Sequence, residues 1–375
     1  MKIAFYSCEQ IGRQFMAGYQ IARLGAHLAV SQGDTPYVNK SGTWYGQTVA
    51  AHVVASSVAD VFAHHELTQL TPGHRHLHAN VARNWYMLDD HEAGGNNWAH
   101  TVATANDQTP VGVSDQAEVD AAFWVAVQAY RQQAAAYFDN PDNTDPGVEA
   151  EKPSNAAAGT PASQYPVNYF RQRFNLNGEP DAAGAVECFV LDCITHRSPF
   201  RALVGGEPDG EDDGLTLLGS IQLAWFKARL AASTATWKII FSTKATHWPG
   251  TGGNADSWAF YTAERDEILA HIAANSITGV LWCAGDKHYP HVLETETHAC
   301  VVACPVSVDT NTALVPGNVE ALTWAADDQV FGWLDIGAER LDVSIRQAIT
   351  GAPRFSAYMT PDANTLKYER VAVAA

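Results

Sequence analysis

The sequence predicts an α/β fold, and three observations carry that expectation. Short continuous apolar runs recur along the chain, segments with helical spacing lie between several of them, and small polar clusters close the runs. Apolar runs without alternation suit strands covered on both faces, as in parallel sheets. The chain has 375 residues, 46% hydrophobic and 17% charged, the make-up of an ordinary globular core. That length suits one large domain, and a single domain over 1–375 is expected.

In chain order, KIAFYSC (2–8) and AHLAVSQGD (26–34) are the first two expected strands. A helix is expected over 47–69, then a strand at NWYMLDD (84–90). Residues 116–138 place Phe123, Trp124, Val127 and Tyr130 at helical spacing. Strands at AVECFVLD (185–192), WKIIFST (237–243), GVLWCAGD (279–286) and ACVVACPVSV (299–308) alternate with helices over 219–232 and 262–275. DQVFGWLDIG, ERLDVSIRQ and KYERVAVA look like antiparallel strands closing a sheet. Residues 139–166 and 203–214, rich in Pro, Gly, Asp and Asn, are expected as loop insertions, with Glu211, Asp212 and Asp213 solvated. No register of the first gives the Asp/Asn and Gly spacing of a calcium loop.

The balance of 23 basic and 41 acidic residues leaves a net charge of −18. Such a surface repels nucleic acid and anionic membranes, so an anionic substrate would need local positive centres. No apolar stretch approaches a membrane span. The N-terminus reads as a strand rather than an export signal, so a cytoplasmic location is expected for the chain as written. Five of the cysteines, Cys188, Cys193, Cys283, Cys300 and Cys304, sit in apolar runs and are expected as buried thiols.

The chemistry gathers at strand ends. Cys8 ends the first run, Asp34 the second, Asp90 the third, and Asp286 with His288 a later one. Ligands of α/β sheets bind beyond the carboxyl ends of the strands. One such Asp is ordinarily a turn or helix cap. Several at successive strand ends, with Cys and His among them, describe a transition-metal site. YMLDDHEAGGNNW (86–98) sharpens the point: it crowds Asp89, Asp90 and Glu92 around His91 with no Lys or Arg in the segment. Such crowding is destabilising unless something positive lies between the acids, and a metal ion is the expected source.

SQGDTPY (31–37), LDDHEAGGNNW (88–98) and WCAGDKHY (282–289) resemble signature blocks of the PhoD-type alkaline phosphatases, a branch of the calcineurin-like metallophosphoesterases. LDCITHR (191–197), LLGSIQLAWFKARL (217–230) and DSWAFYTAERDEIL (256–269) resemble three further blocks, and all six fall in order. The resemblance implies a four-layer αββα sandwich of two mixed sheets. It implies hydrolysis of small phosphate esters by a hydroxide activated on a two-metal centre. Asp34 would bridge the metals. Cys8, Tyr37 and His288 would complete a site for Fe(III), while Asp90 and Asp286 would hold Ca(II) or another divalent ion. His91 would face the substrate, oriented by Glu92 or Asp89, and Arg197 would clamp the phosphate. The chain departs from the family pattern at Ile194, where an arginine is usual, and at Lys287, where small or apolar residues are usual.

His247 and the amides Asn96 and Asn97 are further candidates without an assigned role. HRHLH (74–78) is expected as solvent-exposed imidazoles, and Trp225, Phe226 and Leu230 as the core face of a helix. No GxSxG, Walker A or Rossmann glycine pattern occurs. The alternative to the enzyme is a catalytically weak protein of the same fold that binds a phosphorylated ligand or a partner.

Overall fold

The computed structural model of the chain describes residues 1–9, 14–35, 37, 42–44, 47–49, 58–93, 116–145, 148, 167–198, 215–246, 257–307 and 329–368. In order, its first half runs β1 (Lys2–Tyr6), α1 (Met16–Arg23), β2 (Leu28–Ser31), β3 (Gly42–Trp44), β4 (Gln47–Val49), α2 (Val58–Gln69), α3 (Pro72–Asn80), β5 (Arg83–Tyr86), α4 (Asp90–Ala93) and α5 (Gln116–Tyr137). The second half adds β6 (Phe170–Phe174), β7 (Val186–Val190), α6 (Ser220–Ala232), β8 (Trp237–Phe241), α7 (Thr262–Ala274), β9 (Val280–Ala284), β10 (His291–Glu294) and β11 (Ala299–Val302). It closes with β12 (Val330–Ile336), β13 (Leu341–Gln347), β14 (Pro353–Met359) and β15 (Lys367–Tyr368).

These strands build two mixed sheets and a small hairpin, β3–β4. The seven-stranded sheet has the order β15-β14-β13-β12-β1-β2-β5, with β1, β2 and β5 parallel and β12 antiparallel to β1. In the six-stranded sheet, β10-β11-β9-β8-β7-β6, the inner strands β11, β9, β8 and β7 are parallel. The parallel strands of each sheet therefore release their carboxyl ends along one edge.

Alternate residues of each strand face opposite ways, and both faces are covered. Ile3, Phe5, Val30 and Trp85 of the first sheet pack in one core with Cys188, Ile239, Phe241 and Leu281 of the second. The outward Ala4, Tyr6 and Ala29 meet Phe15, Ile21 and Leu77 on and beside α1 and α3. The outward Phe189, Ile240 and Trp282 meet Trp225, Phe226, Leu230, Ile268 and Ile272 of α6 and α7. The result is helix, sheet, sheet, helix, the four-layer sandwich expected. Burial on both faces is why the strands carry unbroken apolar runs.

Two expectations need correction. The segment 47–69 is not one helix: Gln47–Val49 forms β4, and among the described residues the helix spans Val58–Gln69. HRHLH lies on α3, capped by Thr71 and opened by Pro72. A 3.6-residue period puts His74 and His78 on one face and His76 on the other. His74 is accordingly buried against Glu9 (2.6 Å) and Phe15, His78 is half-buried beside Gln69 (2.9 Å), and only His76 is exposed. All six cysteines, Cys8 at its strand end included, are free and buried. Residues 203–214, most of 139–166 and the end of KYERVAVA lie outside the described residues.

Candidate metal centre

Six loops meet where the two sheets present their parallel carboxyl ends. The β1 loop carries Ser7 and Cys8, the β2 loop Asp34 and Tyr37, and the β5 loop Asp89, Asp90 and His91. From the other sheet, the β7 loop carries Arg197, the β8 loop Lys244, and the β9 loop Asp286, Lys287 and His288. Hydrogen bonds tie the sheets directly beneath the site. Gln32 Nε2 donates to the Cys283 carbonyl at 2.7 Å, and the Asp286 N–H donates to Ser7 Oγ at 3.3 Å. The last approach depends on Gly285, since a Cβ there would overlap Ser7 Oγ.

Backbone conformation singles out the same residues. Non-glycine residues at positive φ among the described residues are Cys8 (62°), Asp34 (56°), Asp286 (69°), His288 (51°) and Ser276 (51°). Four of the five are the expected metal ligands. The left-handed region costs an L-residue on the order of 1 kcal/mol or more, and such outliers persist where function and surroundings hold them.

The side chains converge accordingly. Donor atoms of Cys8, Asp34 and His288 lie within 4.8 Å of one another. Asp34 Oδ2 accepts from Tyr37 Oη at 3.2 Å and lies 3.6 Å from Cys8 Sγ, while Tyr37 Oη also contacts His288 Nε2. Asp34, Asp90 and His91 form a second such group, and the Tyr37 ring lies against that of His91 with centroids 3.9 Å apart. Asp34, Asp89, Asp90 and Asp286 form a third. Burial pushes the Asp34 carboxyl well above its usual range, and the charges of Asp90, Cys8, Asp89 and Glu92 add to the effect. Burial likewise raises the Cys8 thiol, with Cys304 beside it, and raises the Tyr37 phenol, with Asp34 beside it. A cation among these groups reverses the cause, because it favours their charged forms.

Glu92 does not orient His91. Its carboxylate accepts from the backbone N–H groups of Asp34 (2.9 Å), Thr35 and Asp89 (2.9 Å) and from Tyr86 Oη (2.9 Å). It thus clamps the Asp34 loop to the Asp89 loop. Lys244 is the residue that sequence reasoning missed. Its Nζ lies 2.6 Å from Asp89 Oδ1, 2.9 Å from Asp286 Oδ1 and 3.8 Å from Asp90 Oδ1. The signal was present, since Lys244 follows an apolar strand end just as Asp34 does, but its partners lie far off in sequence. The Lys287 departure is also placed: its Nζ lies 2.5 Å from Asp286 Oδ2.

The other sequence blocks are supports. Asp192 Oδ1 accepts from the N–H groups of Ile194 (3.0 Å) and Thr195 (2.9 Å), shaping the loop that leads to the buried Arg197. Gln222 on α6 accepts from the Asp192 N–H at 2.9 Å and donates to its carbonyl at 2.8 Å. Trp258 Nε1 donates to Ser242 Oγ at 3.0 Å, under Lys244. Ile194 packs with Val61, Tyr86, Leu88 and Phe123, so the usual arginine is replaced by core. His247, Asn96 and Asn97 lie outside the described residues.

Residues 182–324 match the family model of the PhoD-like phosphatases. Alkaline phosphatase D of Bacillus subtilis (strain 168) is 24% identical over 309 residues, which span 77% of this chain and 46% of that relative. A structure described as that of PhoD superposes on 98% of this chain and 71% of its own, with a TM-score of 0.67 and 18% identity. A purple acid phosphatase from yellow lupin (Lupinus luteus) seeds covers 100% of this chain and 57% of its own, with a TM-score of 0.53 and 12% identity. At those identities the two structures establish shared architecture.

Proposed function

We propose that this chain, PhoD-like over residues 182–324 and in its fold, is a metal-dependent phosphoric ester hydrolase acting on small phosphate esters. One observation carries the reading: Cys8, Asp34, Asp286 and His288, on three strand ends drawn from both sheets, converge while held at positive φ. The donor set around Asp34 fits a metal ion. Asp34 Oδ1 is buried without a hydrogen-bond partner, and thiol, phenol and imidazole surround the same carboxylate. Cys8, Asp34, Tyr37 and His288 would therefore hold Fe(III), whose oxidised state thiolate and phenolate favour. Such an ion would supply Lewis acidity toward a water molecule and the phosphoryl oxygens. The residues expected to hold Ca(II), Asp90 and Asp286, do not fit that ion, because the Lys244 ammonium lies 3.8 and 2.9 Å from their carboxylates.

The protein groups supply the remainder. His91, its ring packed at a tilt against that of Tyr37, donates a hydrogen bond to a phosphoryl oxygen or a proton to the leaving alcohol. Arg197 clamps the phosphate from the β7 side. Lys244 and Lys287 offset carboxylate charge that would otherwise repel an anionic ester.

Asp34→Asn should reduce hydrolysis of p-nitrophenyl phosphate or its bis-ester by roughly a hundredfold or more. In the same preparation it should weaken the visible absorption of tyrosinate or thiolate on iron(III). Unchanged hydrolysis overturns the site assignment, and the ratio of monoester to diester turnover defines the substrate class.

A further inference from the structure

We propose that the Lys244 ammonium takes the place of a second metal ion in this centre, so that the chain binds one metal ion. The inference rests on the metal-centre reading above and deepens it. Asp34, Asp89, Asp90 and Asp286 are the carboxylates close enough together to share a second ion. Lys244 Nζ already lies among three of them, at 2.6, 3.8 and 2.9 Å from Asp89, Asp90 and Asp286. The side chain is 0% exposed, so the ammonium has these acids in exchange for water. A divalent ion reaching the same oxygens at about 2.0–2.6 Å would meet an ammonium at contact distance and has to expel it.

The lysine is also held at its base. Ser242 Oγ donates to the Lys244 carbonyl at 2.8 Å and accepts from Trp258 Nε1 at 3.0 Å. Asp286 is further committed, because its second oxygen binds Lys287, itself 0% exposed, at 2.5 Å. Two buried ammonium groups thus lie among the three carboxylates of Asp89, Asp90 and Asp286, while Asp34 is left to the ion held with Cys8, Tyr37 and His288. A second divalent ion would bring two further positive charges to a place where two ammonium groups already face three carboxylates. The local segment 86–98 lacks a Lys or Arg because that cation arrives from β8.

The test uses the full-length purified chain and two readouts besides turnover. Elemental analysis after dialysis against Ca²⁺-containing buffer counts the ions, and calorimetric titration with CaCl₂ measures affinity. The wild type should retain one transition-metal ion per chain and no stoichiometric Ca²⁺. Lys244→Met should bind one Ca²⁺ at least tenfold more tightly than the wild type, whereas Lys244→Arg should not. Two tightly held ions in the wild type overturn the proposal, whatever the variants do. So does Ca²⁺ affinity unchanged in a folded Lys244→Met. If the wild type holds two ions while Asp34→Asn still abolishes hydrolysis, the proposed function stands and this inference alone fails. If Asp34→Asn leaves hydrolysis intact, the function fails first.

Discussion

At the residue scale, two buried glutamates show how carboxylates serve as backbone acceptors. Glu92 joins the Asp34 and Asp89 loops, and Glu264 on α7 accepts from the N–H groups of Leu217 (2.9 Å) and Leu218 (3.2 Å) at the start of the α6 segment. Burial raises Glu264 to about 7 from 4.5, against the opposing pull of those hydrogen bonds. The native state therefore binds this proton more tightly than the unfolded chain does. The stability it contributes is fully present below about pH 4.5 and is lost as pH rises through about 7. The size is on the order of 3 kcal/mol at most, at about 1.4 kcal/mol per pKa unit. Urea unfolding at a series of pH values should show that slope in the wild type. Glu264→Gln should flatten it, and an equal slope in the variant would mean that other groups carry it.

At the element scale, helices were legible where one face was simply apolar, and illegible where packing rests on small or polar residues. The spacing of Phe123, Trp124, Val127 and Tyr130 announced α5, which spans Gln116–Tyr137. Helices α1 and α3 gave no such stripe because they cross at glycines. A Cβ on Gly18 would overlap the Gly73 carbonyl oxygen, and one on Gly73 would overlap that of Phe15. Gly18→Ala improves helix propensity by about 1 kcal/mol, yet forcing the helices apart costs typically 1–3 kcal/mol. The clash is with backbone, which yields least, so the net effect should be a lowered Tm in a thermal melt. A raised Tm would show that the helices separate without cost. The same crossing explains the misjudged histidines, since His74 fills the space between α3 and Glu9.

At the scale of the molecule, the inter-sheet core positions the site. Phe241, the last residue of β8, packs edge-on against Phe5 across the sheets, with centroids 6.3 Å apart at 61°. The site loops begin one to three residues beyond these side chains. Phe241→Ala should cost about 3–5 kcal/mol of stability, as deletion of a buried ring does, measured by denaturant unfolding. A loss below about 1 kcal/mol would mean that the sheets close over the cavity. Among the described residues no helix is long and apolar enough to cross a membrane.

The sequence by itself determined the strand order of the chemistry. Apolar runs ending in Cys8, Asp34, Asp90, Asp286 and His288 announced both buried parallel strands and the edge where ligands gather, because burial on two faces and carboxyl-end placement are properties of single strands. It also showed an acidic segment that needed a cation. Only the tertiary structure decided which cation lies there. Lys244 and Asp89 are 155 positions apart and belong to different sheets, so their approach to 2.6 Å follows from how the two sheets stack. A pairing made across layers leaves no periodicity in either strand, and the role of Glu92 as a clamp between loops was hidden for the same reason.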